Sequence, residues 1–368
     1  MSQSLTYKIA LSLIPGIGGV LARNLVAYVG SVEGVFHESV KNLIKIPGIG
    51  EVNARKIRRG EVLDRAGKEA RYVMENNIAT YFYIDNNYPR RLLNCADSPV
   101  MLYAKGKINF ETERVVSIVG TRNATDYGRS LCDDLIRSFS ERKYDILVVS
   151  GLAYGIDIQA HKSSINYNLQ TVGVLGHGLD LLYPTVHKPV AKKMMLNGGL
   201  VTDFPGNTKI EPPNFLRRNR IIAGLADTTI VVESGKKGGA LVTADIASSY
   251  NRDVFAFPGK VSDAYSKGCN RLIRNNVAAL IESVEDLEYI MGWENTPGKT
   301  DAVQQQLFVE LTPEQSLIHG ILKEKGEAFI DQVCSEAKLP MSRVSAILLN
   351  LEFKNVVVSL PGKMYRLR

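Results

Sequence analysis

The sequence predicts an α/β protein, with a doubly wound parallel sheet in the middle of the chain and a smaller helical module on either side. Three observations predict it. From Val115 onward, short β-branched runs alternate with helix-patterned segments; ahead of them a glycine-containing pentapeptide occurs twice; behind them a polar, glutamine-rich stretch sets apart a last group of amphipathic segments. The chain has 368 residues, well over the ~150 typical of one domain, so two or three domains are expected. Their boundaries are placed at 1–110, 111–292 and 313–368, with a linker over 293–312.

The N-terminal module rests on a repeat. Ile14-Pro15-Gly16-Ile17-Gly18 returns as Ile46-Pro47-Gly48-Ile49-Gly50, and each copy sets glycines between two helix-patterned segments: residues 5–13 and 20–29, then 40–46 and 51–58. A glycine turn at a helix start exposes backbone N–H groups that suit a phosphate oxygen, and it also makes a tight corner in any helical bundle. The pattern resembles a tandem helix-hairpin-helix, which grips nucleic-acid backbone without reading sequence. A bundle used for protein contacts fits it equally.

In the middle, strands are expected over 115–119, 146–150, 171–175, 200–204, 229–233, 254–258 and 279–281. Helices are expected over 128–142, 156–168, 187–197, 214–225, 240–250 and 270–276. Alternation at this spacing implies right-handed crossovers and a parallel sheet covered on both faces. Residues 293–312 are polar, hold three consecutive glutamines and a Pro-Gly break, and read as a linker. Three short helices over 313–325, 329–337 and 342–353, then a hairpin around Pro361-Gly362, resemble a winged helix. Its third helix either enters a groove or serves dimerisation or partner docking.

Charge is unevenly spread. The net charge is +7, yet residues 1–110 hold 15 Lys/Arg against 9 Asp/Glu and residues 311–368 hold 8 against 6, leaving the middle at 22 against 23. A polyanion bound there must meet a local patch. Cys95, Cys132, Cys269 and Cys334 lie far apart with no CxxC spacing, which argues against a zinc module and a disulfide framework and for a reducing cytoplasm. The first apolar run is broken by Pro15, Gly16, Gly18 and Gly19, so neither a signal peptide nor a membrane span is expected.

In an open parallel sheet, ligands bind beyond the carboxyl ends of the strands. Four glycine-rich loops meet on that rim. They are Gly120-Thr121-Arg122, the loop holding Ser150, Gly151, Tyr154 and Gly155, the turn Gly176-His177-Gly178, and the loop with Lys236, Lys237, Gly238 and Gly239, followed by Thr243. Small residues let backbone approach an anion, and helix starts add a favourable dipole. The segment 214–225 adds Phe215, Arg217, Arg218, Asn219 and Arg220. Arginine forks match phosphate and an aromatic ring stacks an unpaired base; the competing reading is an amphipathic helix with solvated arginines, or arginines paired with Asp203 or Glu233. No dinucleotide fingerprint follows the first strand and no GxxxxGK[ST] occurs, so neither NAD nor ATP is indicated and no cofactor is expected. Asp157, His161 and His177 are the candidates for metal or acid–base work. Without HExxH, GxSxG or a second carboxylate cluster they read as a helix-start cap and structural histidines, so no catalytic residue and no metal site are assigned.

Six ordered segments carry a resemblance: IVGTRNATDYG (118–128), SGLAYGIDIQAH (150–161), TVGVLGHGLDLLYP (171–184), FLRRNRIIAGLAD (215–227), GALVTADIASSYNRDVFAFPG (239–259) and GCNRLIRNNVA (268–278). Together they look like the successive motifs of the DNA-processing protein A family, DprA or Smf. The resemblance implies a cytoplasmic, non-enzymatic protein with a SAM-like helical domain, an extended Rossmann domain and a winged helix. It implies binding and protection of single-stranded DNA, loading of the RecA recombinase during recombination and natural transformation, and a homodimer formed through the Rossmann domain. Mapped here, the DNA pocket uses Gly120, Thr121, Arg122, the loop 150–155, Phe215 and Arg217 to Arg220, with the loop 238–243 closing it. Two positions depart from the family pattern. Tyr154 stands where many relatives have Arg, and Gly238-Gly239-Ala240-Leu241 stands for Ser-Gly-Ser-Leu, leaving backbone donors alone in that loop. The rival from another class is a nucleotide phosphoribohydrolase with the signature PGGxGTxxE. The corresponding KKGGALVTAD lacks the second glycine-threonine and has Asp245 for the glutamate.

Overall fold

The computed structural model describes residues 2–293, 311–354, 356–360 and 364–367. They fall into two compact units, Met1–Trp293 and Glu294–Arg368. The expected linker lies outside the described residues except at its ends, as does the Pro361-Gly362 turn.

The first unit opens with six helices: α1 (Ser2–Leu13), α2 (Gly19–Val29), α3 (Val32–His37), α4 (Val40–Leu43), α5 (Glu51–Arg59) and α6 (Leu63–Glu75). The two repeats form the turns before α2 and α5, where Gly16 and Gly48 take φ of +88° and +83°. Only glycine adopts that conformation without strain. The two hairpins differ in what faces them. A Cβ on Gly19 would lie 2.6 Å from the carbonyl oxygen of Ser98, and Arg23 donates to the carbonyls of Ala96 (2.8 Å) and Ser98 (2.7 Å). The first hairpin is thus closed by the chain itself through Gly19 and Arg23, whereas the second has Glu51 and Arg55 at those positions, paired with each other.

Next come β1 (Ala79–Phe82), α7 (Arg90–Leu93) and β2 (Met101–Lys107). The expectation of a purely helical region to residue 110 needs correcting here, because β1 and β2 join the central sheet. The misreading has a physical cause: Met101, Leu102, Tyr103 and Ala104 are all buried, so the strand lacks polar alternation. Met101 and Tyr103 face the core of the helical domain, and Leu102 and Ala104 face the core under the sheet.

The remainder of the unit is β3 (Arg114–Val119), α8 (Asp126–Glu141), β4 (Ile146–Ser150), α9 (Ile156–Asn166), β5 (Gln170–Val174), α10 (Lys188–Met194), β6 (Gly198–Thr202), α11 (Pro212–Leu225), β7 (Thr228–Val231), α12 (Gly239–Ser249), β8 (Asp253–Ala256), α13 (Lys267–Arg274), β9 (Ala279–Leu280) and α14 (Val284–Met291). Nine strands make one sheet in the order β1-β2-β6-β5-β4-β3-β7-β8-β9, antiparallel only where β1 meets β2 and β2 meets β6. One face packs against α11, α12 and α13 and the other against α8, α9 and α14. That is the doubly wound arrangement, with the winding reversing at β3: β4, β5 and β6 lie to one side, β7, β8 and β9 to the other.

The second unit contains α15 (Pro313–Lys325), β10 (Glu327–Phe329), α16 (Ile330–Ala337), α17 (Met341–Phe353), β11 (Val357–Leu360) and β12 (Met364–Leu367). Its three strands pair antiparallel in the order β10-β12-β11. Val344, Ile347, Leu348 and Leu351 of α17 close the core beneath them, the packing of a winged helix. Among the described residues, no helix is long and apolar enough to cross a membrane.

Candidate functional site

A cleft of about 690 Å³ opens at the switch point, beyond the carboxyl ends of β3 and β7. Its floor is Gly120, Thr121 and Arg122; α11 supplies one wall through Phe215, Leu216, Arg218 and Asn219; the loop from Ser234 to Gly239 and Thr243 supplies the other. This is where an open α/β sheet presents its helix starts.

Three of the four helix starts nearby are already occupied. At α8, the Glu233 carboxylate accepts the Thr125 N–H (2.9 Å) and the Thr125 hydroxyl. At α9, Thr121 O accepts the Ile156 N–H (3.2 Å), and Asp157 stands in the first turn. α11 begins with Pro212 and Pro213, which have no N–H to offer. α12 begins at a glycine, Gly238, with no side-chain cap and, unlike α9, no acidic residue in its first turn. Lys237 and Arg122 line the same cleft. Among the described residues neither makes an ion pair or side-chain hydrogen bond. An uncapped helix start with two free cations is an anion-accepting arrangement.

Arg218 is different in kind. It is 4% exposed and donates to the carbonyls of Gly151 (2.7 Å) and Val174, while its Nε is buried without a partner. Burial pushes its pKa down to about 10, opposed by the nearby Asp157. The guanidinium therefore stays charged at neutral pH and sets the field at the cleft floor. Burial in turn raises the Asp157 carboxyl, with Arg218 pulling the other way.

The aromatic wall is Phe215 with Tyr183, ring centroids 5.8 Å apart. A Cβ on Gly176 would sit 2.9 Å from Phe215 Cδ1, so the turn after β5 must be glycine for the ring to lie there. His177 fixes the other ring: its Nε2 accepts the Tyr183 N–H (3.2 Å) while Nδ1 bonds Gly178 O (2.9 Å). Tyr183 was not among the expected site residues, although the GHGLDLLYP segment holds it.

Of the expected residues, Gly120, Thr121, Arg122, Phe215, Arg218, Asn219, Lys237, Gly238, Gly239 and Thr243 line the cleft. The others do not. Ser150 is buried and donates to Ile118 O (2.6 Å), a bond between strands. Gly151 is wedged between Asp157 and Arg218. Gly155, at φ +77°, brings the α9 loop against the backbone of Thr121 and Arg122. Tyr154 lies outside the cleft with its ring 5.0 Å from that of His187. Lys236 is exposed beside the rim. Arg217 and Arg220 both bind Asp203, at 3.1 and 2.8 Å, so the phosphate path expected through Arg220 is corrected to a structural ion pair. The helical period put four polar side chains in a row on α11, and only tertiary packing decides which of them faces the cleft.

The histidines are structural. His161 Nδ1 pairs with Thr171 Oγ1 (2.7 Å), and burial drives its pKa down to about 3. Asp245, the carboxylate the phosphoribohydrolase reading needs, is exposed on α12 away from the cleft lining. Among the described residues, no group of three His, Cys, Asp or Glu could hold a metal ion.

Fold and rim together define an open α/β protein with an anion-accepting, aromatic-walled crevice. The sequence pattern of the family described as DNA recombination-mediator protein A matches residues 79–291, a SAM-like helix-hairpin-helix tandem matches 9–60, and the DprA winged helix domain matches 310–363. The chain belongs to the DNA recombination-mediator protein A family, DprA or Smf. It is 30% identical to protein Smf of Synechocystis over an alignment of 403 positions, covering 98% of each chain. It is 37% identical to the DNA processing protein DprA of Bacillus subtilis over 214, covering 58% of this chain and 71% of the relative. Among solved structures, DprA of Streptococcus pneumoniae superposes with a TM-score of 0.67 at 27% identity, over 77% of this chain and 97% of that one. A Helicobacter pylori DprA described for its single-stranded DNA binding mode superposes with a TM-score of 0.53 at 25% identity, over 59% and 96%.

Proposed function

We propose that this protein binds single-stranded DNA in the cleft beyond β3 and β7, protects it, and hands it to the RecA recombinase in recombination and DNA uptake. The observation that carries the reading is the open start of α12 facing Arg122 and Lys237 beside the Phe215–Tyr183 wall. Phosphate meets the helix start and the cations, and an unpaired base meets the rings. The near neutrality of the surrounding region favours a flexible strand that enters one cleft over a stiff duplex that needs a long charged face. The Helicobacter pylori relative supports the choice of ligand. A cytoplasmic homodimer formed through the sheet domain belongs to the same reading. No catalytic step is assigned.

Anisotropy titrations with single- and double-stranded oligonucleotides of equal length at about 0.15 M salt test this. Preference for the single strand is expected, and equal affinity for the two forms would sink the reading. Gel filtration with light scattering tests the dimer, and a pull-down with purified RecA tests the hand-over.

A further inference from the structure

Outside the cleft, the segment between Asp157 and Asp203 carries four lysines, Lys162, Lys188, Lys192 and Lys193, against one carboxylate, Asp180. All four lysines are exposed. Among the described residues none makes an ion pair or a side-chain hydrogen bond. Asp180 is engaged with the Asn207 N–H (3.0 Å). The lysines sit on two adjoining helices, because α9 and α10 pack together through Ile158, Ile165, Ala191 and Met194. Lys162 lies between Ile158 and Ile165 on α9, and Lys188 and Lys192 are one turn apart on α10.

The way from the cleft to these lysines is marked by rings. Tyr183 lines the cleft against Phe215. Four residues on, His187 is anchored by its Nδ1 on Leu152 O (2.9 Å) and carries the half-exposed Tyr154 ring at 5.0 Å. Lys188 follows directly. Exposed rings interleaved with unpaired cations suit a strand of alternating bases and phosphates.

We infer that Tyr154 and the lysines of α9 and α10 form a second stretch of single-strand track, which holds the nucleotides leaving the cleft. The inference rests on the proposed function and extends it beyond the pocket. It also gives the tyrosine at 154 a job outside the cleft, which is to stack a base of the departing strand.

The test compares dT6 with dT20 on the full chain. In the triple variant K188A/K192A/K193A, dT20 affinity should fall roughly tenfold or more, and the slope of log affinity against log salt should become shallower by about 2. The dT6 affinity should stay unchanged, and Tyr154→Ala should likewise weaken dT20 alone. Equal losses for both lengths, or no loss for dT20, would overturn the track. The R122A variant separates the two ideas. If R122A leaves dT6 binding intact, the cleft reading fails; if R122A weakens dT6 while the lysine variant changes nothing, only the track fails. Competition by poly-glutamate as potent as dT20 would mark the lysines as a general anion surface and overturn the assignment.

Discussion

Arg220 donates to the buried Oδ2 of Asp203 across 2.8 Å and caps the carbonyl of Asp97 with its other amino group. A side chain so engaged holds α11 to the loop ahead of β2, and it has no free fork for a phosphate.

The two arginines should therefore part company on mutation. Arg220→Ala leaves Asp203 a buried carboxylate short of one partner and should cost about 3 kcal/mol of stability with the salt slope unchanged. Arg122→Ala should leave the melting temperature in place and make the slope for a single strand shallower by about 0.7. Melting and salt titrations on the same preparations decide it.

Phe215→Leu keeps an apolar side chain under the Tyr183 ring but removes a stacking face. Single-strand affinity should drop by about 1–3 kcal/mol while the fold persists. Gly176→Ala should mimic it, because the added methyl group meets Phe215 Cδ1. Unchanged affinity in both variants would take the aromatic wall out of the site.

Glu233 acts at a distance from any ligand, since it fills the start of α8 through Thr125. Glu233→Ala should cost about 1–2 kcal/mol, because Thr125, the residue that caps α8, loses the acceptor of its N–H and hydroxyl. Thermal unfolding measures it, and a neutral result would mean that Thr125 caps α8 without the carboxylate behind it.

His161 should give an acid-side signature. Its folded pKa of about 3 lies below the ordinary value of 6.5. The neutral form thus contributes stability above pH 6.5 that is lost as pH falls toward 3. Between pH 6.5 and 4.5 the loss attributable to this group is on the order of 2 kcal/mol. Asp157 and Glu69, both raised by burial, run the opposite way, gaining stability as pH falls. The informative quantity is therefore the difference between the wild type and His161→Gln, whose stability should fall less over the same interval.

Sequence reasoning read the β3-to-α13 alternation well because each strand there is a β-branched run between glycine loops and each helix has an apolar stripe. It read the four rim loops for the same reason: the glycines that let helices approach the sheet also mark its ligand edge. Which helix starts are already filled is not legible in the sequence, since Glu233 reaches Thr125, and Thr121 O takes the Ile156 N–H, only in three dimensions. Nor could the RRNR run on α11 announce that Arg218 turns inward, Arg217 and Arg220 turn to Asp203, and Asn219 reaches Gly239 O. Nothing local to Tyr183 signals a wall; its place depends on His177 and on Phe215 from α11.

The strand β2 shows why a cut at residue 110 is the wrong place to divide this protein. With Met101 and Tyr103 in one core and Leu102 and Ala104 in the other, the segment is a party wall between two rooms. A fragment beginning at 111 would bare the hydrogen-bonding edge of β6 that β2 now covers, from Gly198 to Thr202, and naked edges invite pairing with other chains. Such a fragment should aggregate, whereas one ending near Trp293 should stay monodisperse. Any domain-swap or fusion must then move the helices and the sheet as a single cassette, leaving only the winged module free to be exchanged.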